Sequence, residues 1–119
     1  MSRQTVRVLN MTRRTALGDR IDVAETSLSR IVGLLGKQAL EPGTGLMIFP
    51  SQAVHTVGMR FPIDVIFVDR HWRVTGIRPE MVPLRFTRLH WKAKCVLEVP
   101  AGVIARSATS VGDQLDIEH

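Results

Sequence analysis

His55-Thr56-Val57-Gly58-Met59-Arg60-Phe61-Pro62-Ile63-Asp64-Val65-Ile66-Phe67-Val68-Asp69 is the stretch around which the 119 residues are organised. Ile, Val and Phe occupy both parities from Phe61 to Val68, the pattern of a strand buried on both faces. Asp64 interrupts it. A carboxylate among apolar neighbours must be paired, hydrogen-bonded or protonated. Arg60, Pro62 and Asp64 share one parity and so point to one side of an extended chain. Asp64 is therefore expected to be a structural polar pin of the core, with Arg60 or His55 as its local partner.

Working outward, residues 3 to 9 alternate around Val6 and Val8 as a half-exposed first strand, and Ile21 and Val23 mark a second. The Gly18-Asp19 pair between them reads as a hairpin turn. Thr26 or Ser27 caps a helix over about 27–37, with Leu28, Ile31, Val32 and Leu35 on one face. Leu46 to Phe49 is a short buried strand stopped by Pro50. Past the central strand, a turn at Asp69-Arg70-His71-Trp72 leads into Arg73–Ile77. Pro79 to Lys92 reads as a basic loop. In the following strand Cys95, Leu97 and Val99 share one parity, while Lys94, Val96 and Glu98 share the other. Val103 to Ala108 suits a single helical turn, and Gly112-Asp113 introduces a last strand with Leu115 and Ile117 inward. About seven short strands and one main helix predict an α+β fold. It is a single β-rich domain over 1–119, with a mainly antiparallel, curled or barrel-like sheet.

Composition narrows the function classes. Sixteen Lys and Arg against eleven Asp and Glu give a formal charge of +5, which favours anionic partners. One cysteine, Cys95, excludes an intrachain disulfide and a cysteine-built zinc site. No stretch has signal-peptide or transmembrane character, so the expectation is a cytoplasmic protein without a membrane partner. The four histidines, His55, His71, His90 and His119, show no ligand spacing, and Gly33, Gly36, Gly43 and Gly45 match no phosphate-cradling motif. Neither a metal nor a cofactor is expected.

Three stretches together resemble the family known as domain of unknown function 192: Arg30-Ile31-Val32-Gly33-Leu34-Leu35-Gly36-Lys37 followed by Gly45-Leu46-Met47, the His55–Asp69 stretch, and Val96-Leu97-Glu98-Val99-Pro100-Ala101-Gly102 with Gly112-Asp113. The resemblance implies a compact, mainly antiparallel β-domain and no particular activity. It also implies an Asp-Gly type turn after the central strand, where this chain has His71-Trp72. Trp is a poor residue for a positive φ.

The leading functional reading is a non-enzymatic binding or accessory module for an anionic or small-molecule ligand, with His55, Met59, Arg60, Trp72 and Trp91 as the recognition residues. The motive is a cationic, partly aromatic set of loops on a rigid sheet, with no complete catalytic constellation. The alternative is a hydrolase-like enzyme in which His55 and Asp64 act as a pair, which requires both to reach one open cleft. A second alternative is single-stranded nucleic-acid binding through the Arg85–Lys94 segment, where Phe86, His90 and Trp91 interleave with cations. Cys95 shares its parity with core residues and is expected to be an inert, buried thiol. The oligomeric state stays open, because an unpaired edge strand serves a dimer as well as a monomer.

Overall fold

Strands form where β-branched and aromatic residues recur. The computed structural model describes residues 4–25, 39–57 and 59–119, and the helix expected over about 27–37 lies outside them. Among the described residues seven strands are seen: β1 (Thr5–Asn10), β2 (Thr15–Ala24), β3 (Thr44–Ile48), β4 (Ile63–Val68), β5 (Val74–Met81), β6 (Cys95–Pro100) and β7 (Leu115–Glu118). One short helix, α1 (Val103–Ser107), joins β6 to β7. The described residues are thus mostly β, and the helical turn expected near Val103 is present.

The strands form one sheet in the order β5-β4-β6-β3-β2-β1-β7. Neighbours are antiparallel except β2 and β3, which run parallel. A parallel pair needs a long crossover, and the connection from Glu25 to Gly43 supplies it. The sheet curls until its two edges meet at one end. There Arg73 bridges Gln114, Leu115 N–H donates to the Trp72 carbonyl at 2.8 Å, and Val74 N–H donates to the Asp113 carbonyl at 2.9 Å.

Strands β4 and β6 lie centrally and are apolar on both faces. Ile66, Val68, Cys95, Leu97 and Val99 point into one cluster with Val6, Ile21, Ile104 and Leu115. Ile63, Val65, Phe67 and Val96 point into the other, with Met59, Phe61 and Met81. Burying each such side chain contributes about 1.5–3 kcal/mol, so the alternation along β4 holds two cores together.

The expected turn at Gly18-Asp19 is corrected. The β1–β2 hairpin turns at residues 11–14, and Gly18 lies within β2 at a register irregularity, paired with Val8. A glycine marks a bulge as readily as a turn, and a Cβ on Gly18 would come within 2.5 Å of the Ile21 side chain.

Candidate functional site

Asp64 is sealed from solvent, and three backbone donors hold it. Its Oδ1 accepts the Glu80 N–H at 2.8 Å. Its Oδ2 accepts the N–H groups of Ile104 at 2.7 Å and Gly102 at 3.2 Å. The geometry follows from the sheet. Between Ile63↔Met81 and Val65↔Arg78, β5 places two residues opposite Asp64 alone, and this bulge turns Glu80 (φ 49°) so that its N–H faces inward. The carboxylate therefore joins β4, the β5 bulge and the start of α1. Its anticipated partners are corrected: Arg60 is exposed and precedes the strand, which starts at Ile63, so the parity argument does not reach it. His55 lies on the segment covering the other face of β4.

A second polar knot lies near the closing turn. Buried Asp113 Oδ2 accepts from Asn10 Nδ2 at 2.9 Å, Ser110 N–H at 2.9 Å and Arg13 Nε at 3.1 Å. Burial pushes its pKa up, but the hydrogen bonds from Asn10 and Ser110, with the Arg13 guanidinium, outweigh this and hold it below the ordinary carboxylate value. Glu98 is likewise buried, in mid-β6 between Leu46 and Val65. Burial, followed by the nearby Asp69 charge, pushes the Cys95 thiol up to about 12, so it stays protonated and unreactive at neutral pH.

The opposite face of β4 and β5 is covered by two facing segments, residues 51–61 and 82–94. They pair as an irregular antiparallel arm: Thr56 N–H donates to the Arg85 carbonyl and Thr87 N–H to the Val54 carbonyl, both at 2.9 Å, and His90 N–H donates to the Gln52 carbonyl at 2.8 Å. Buried Thr56 fastens the arm, its hydroxyl donating to the Val82 carbonyl at 2.8 Å and accepting the Arg85 N–H at 2.9 Å. His90 stacks on Phe67 with ring centroids 3.7 Å apart and planes 9° apart. Burial first, then Arg88 and Arg78, lower the pKa of His90. It is therefore neutral at pH 7.

The arm's outer side is of another character. Alternate residues Val54 and Thr56 turn inward, while His55 faces out with its ring 6.0 Å from that of Phe86. Leu84, Phe86, Leu89 and Trp91 are 66%, 70%, 62% and 71% exposed; Val82, two residues before Leu84, is 44% exposed, and Val57 on the facing segment is 43% exposed. Arg60, Arg85, Arg88, Lys92 and Lys94 are all exposed among them. These five cations match the whole formal excess of +5, and none of the eleven acidic residues falls in either segment. The ion pairs Arg7–Glu118, Arg13–Asp113 and Arg20–Asp19 lie elsewhere. Large contiguous apolar exposure on a protein surface marks an interaction site.

The family model described as "Uncharacterized ACR", domain of unknown function 192, matches residues 8–117. The chain belongs to that family. It is 30% identical to a UPF0127 protein of Thermococcus sibiricus, over 93% of this chain and 74% of the relative. It is 27% identical to a UPF0127 protein of Pyrococcus furiosus, over 92% of this chain and 96% of the relative. Among solved structures it resembles a protein of unknown function from Novosphingobium aromaticivorans, with TM-score 0.75 and 24% identity over 96% of this chain and 84% of the other. A candidate transcription regulator from Sinorhizobium meliloti gives TM-score 0.74 and 22% identity over 98% and 94%. At such identities these two structures bear on the fold alone.

In this member of domain of unknown function 192, His55, Arg60 and Trp91 stand on or beside the arm. Met59 does not join them at the surface; it is 5% exposed and packs in the second core cluster. Trp72 packs against the first cluster and lines a cavity of about 550 Å³ whose other walls include Val6, Met47 and Ile117. The polar lining there is Gln4, Glu25, Asp116 and His119, so two carboxylates make it a poor receptor for an anion. The unusual turn is also explained. Trp72 has φ 63°, and Asp69 Oδ1 braces it by accepting the N–H groups of His71 and Arg73 at 2.8 and 3.0 Å. Packing of the indole offsets the roughly 1–3 kcal/mol cost of that backbone. The sequence reading missed the arm's aliphatic members, Leu84 and Leu89. Their signal was there: the cations Arg85, Arg88 and Lys92 interleave with them, as on a solvent-facing run.

Proposed function

We propose that this protein is a non-enzymatic binding module whose arm, residues 51–61 and 82–94, recognises an anionic partner. The carrying observation is the concentration of the entire charge excess on an arm that has no carboxylate and exposes bulky apolar side chains. Such a surface raises the local concentration of anions and speeds their association. The hydrolase reading needs His55 and Asp64 in one open cleft. Asp64 instead has its oxygens occupied by backbone donors on the first-cluster side of β4, while His55 is exposed on the arm over the second. Equilibrium binding to polyphosphate, a single-stranded oligonucleotide and anionic vesicles at low salt tests the module reading. Binding to at least one, weakening as salt rises, is the expected result. No binding to any of the three at low salt overturns it.

A further inference from the structure

We infer that the arm docks on an anionic lipid surface, with Leu84, Phe86, Leu89 and Trp91 entering the interfacial layer and the arm's five cations meeting lipid phosphates. The inference rests on the arm being the recognition surface and adds what it recognises. Three observations favour lipid. The four side chains are each more than 60% exposed, so they project from the surface instead of lining a groove, and projection suits insertion better than capture of a segment. Two of the four are leucines, with Val82 two residues before Leu84, and aliphatic groups gain from entering an acyl boundary but offer no face for base stacking. Four of the five cations, Arg85, Arg88, Lys92 and Lys94, are spread along the same run as the apolar groups. Lys92 Nζ lies 5.4 Å from the Trp91 ring centroid, which suits a belt where indole rings and ammonium groups both meet headgroups.

No helix among the described residues is long and apolar enough to cross a membrane, and none is needed, because the contact is interfacial. This departs from the expectation of no membrane partner, which rested on the lack of a spanning segment. Attachment is reversible: a few partly inserted side chains and five cations fall far short of a spanning helix.

The test is co-sedimentation of the full chain with vesicles of phosphatidylcholine alone or mixed with phosphatidylglycerol, with a parallel titration against a single-stranded oligonucleotide. Binding to the mixed vesicles only is expected, with a blue shift of tryptophan emission that Trp91→Phe abolishes. Each cation near an anionic membrane contributes about fivefold to partitioning. Arg85→Glu with Arg88→Glu should therefore weaken vesicle binding by about 25-fold or more, and Lys92→Glu with Lys94→Glu replaces that pair should it fold poorly. Leu84→Ser with Leu89→Ser should weaken binding about tenfold or more at unchanged charge. Equal binding to neutral and anionic vesicles, or an apolar pair without effect, overturns the lipid assignment. Oligonucleotide binding without vesicle binding overturns it too, yet leaves the arm as an anion-recognition surface. Failure with both probes and with polyphosphate removes the recognition surface itself.

Discussion

The two sides of β4 treat polar groups in opposite ways. Towards the first cluster, Asp64 directs both oxygens at backbone N–H groups; nothing charged is left over. Towards the second, the covering arm is fastened by neutral groups, Thr56 and His90, and carries its charges outward beside exposed leucines and aromatics. A side chain whose bonding capacity is used up inside the fold is a fastening. Groups left facing water are those available to another molecule. On the proposed function, recognition belongs to the arm, whereas the carboxylate serves stability.

The contrast breaks most visibly at Asp64. Asp64→Ala strands three N–H groups and should lower stability by about 3–5 kcal/mol in urea denaturation. Asp64→Asn, which keeps one acceptor oxygen, should cost less, about 1–3 kcal/mol. Neither should alter vesicle binding of the folded fraction. If Asp64→Asn keeps full stability but abolishes binding, the two sides have been assigned the wrong way round.

Gly76→Ala sharpens the comparison from the arm's side. A Cβ there would come within 2.7 Å of the His90 ring, so the ring must leave its place on Phe67. A loss of about 1–3 kcal/mol is expected, with faster tryptic cleavage at Arg85, Arg88 and Lys92.

Acid should reach the two regions in sequence. The folded pKa of His90 lies below its ordinary value of 6.5, so its contribution is full above that value and declines as pH falls from it towards the folded pKa. The folded pKa of Asp113 lies below its ordinary 3.8, so that contribution persists above 3.8 and is lost only as pH falls through the depressed value. Thermal unfolding across pH should show a first decline that His90→Gln flattens and a later one that Asp113→Asn flattens. The smallest effect is expected on the arm's outside: Leu84→Ser or Phe86→Ser should change stability by no more than about 0.5 kcal/mol.

Much of this was legible in the chain itself. The doubly apolar run at Ile63–Val68, the turn of helix at Val103 and the last strand after Gly112-Asp113 are short-range patterns and appear where expected. The family followed from the same motifs. What was not legible depends on distant partners. Asp64 could be read as a pin, but its donors come from residues 80, 102 and 104 and are backbone groups, which carry no residue-type signature. Asn10 and Asp113 meet across 103 positions. The arm was visible as a basic, aromatic segment, whereas its pairing with residues 51–57 was not, because that ladder is too irregular to leave an alternating pattern.

The meeting of the sheet's two edges at Arg73 and Gln114 has a bearing on how copies of this protein behave together. A free strand margin is a template on which another chain can add, the common start of domain exchange and of fibrils. Here the first residue of each outer strand, Val74 and Leu115, bonds to the turn that leads into the other, so at that end the polymerising ladder finds its first rungs occupied. Crowding at high concentration should then favour reversible clustering through greasy arms over irreversible growth of cross-β aggregates.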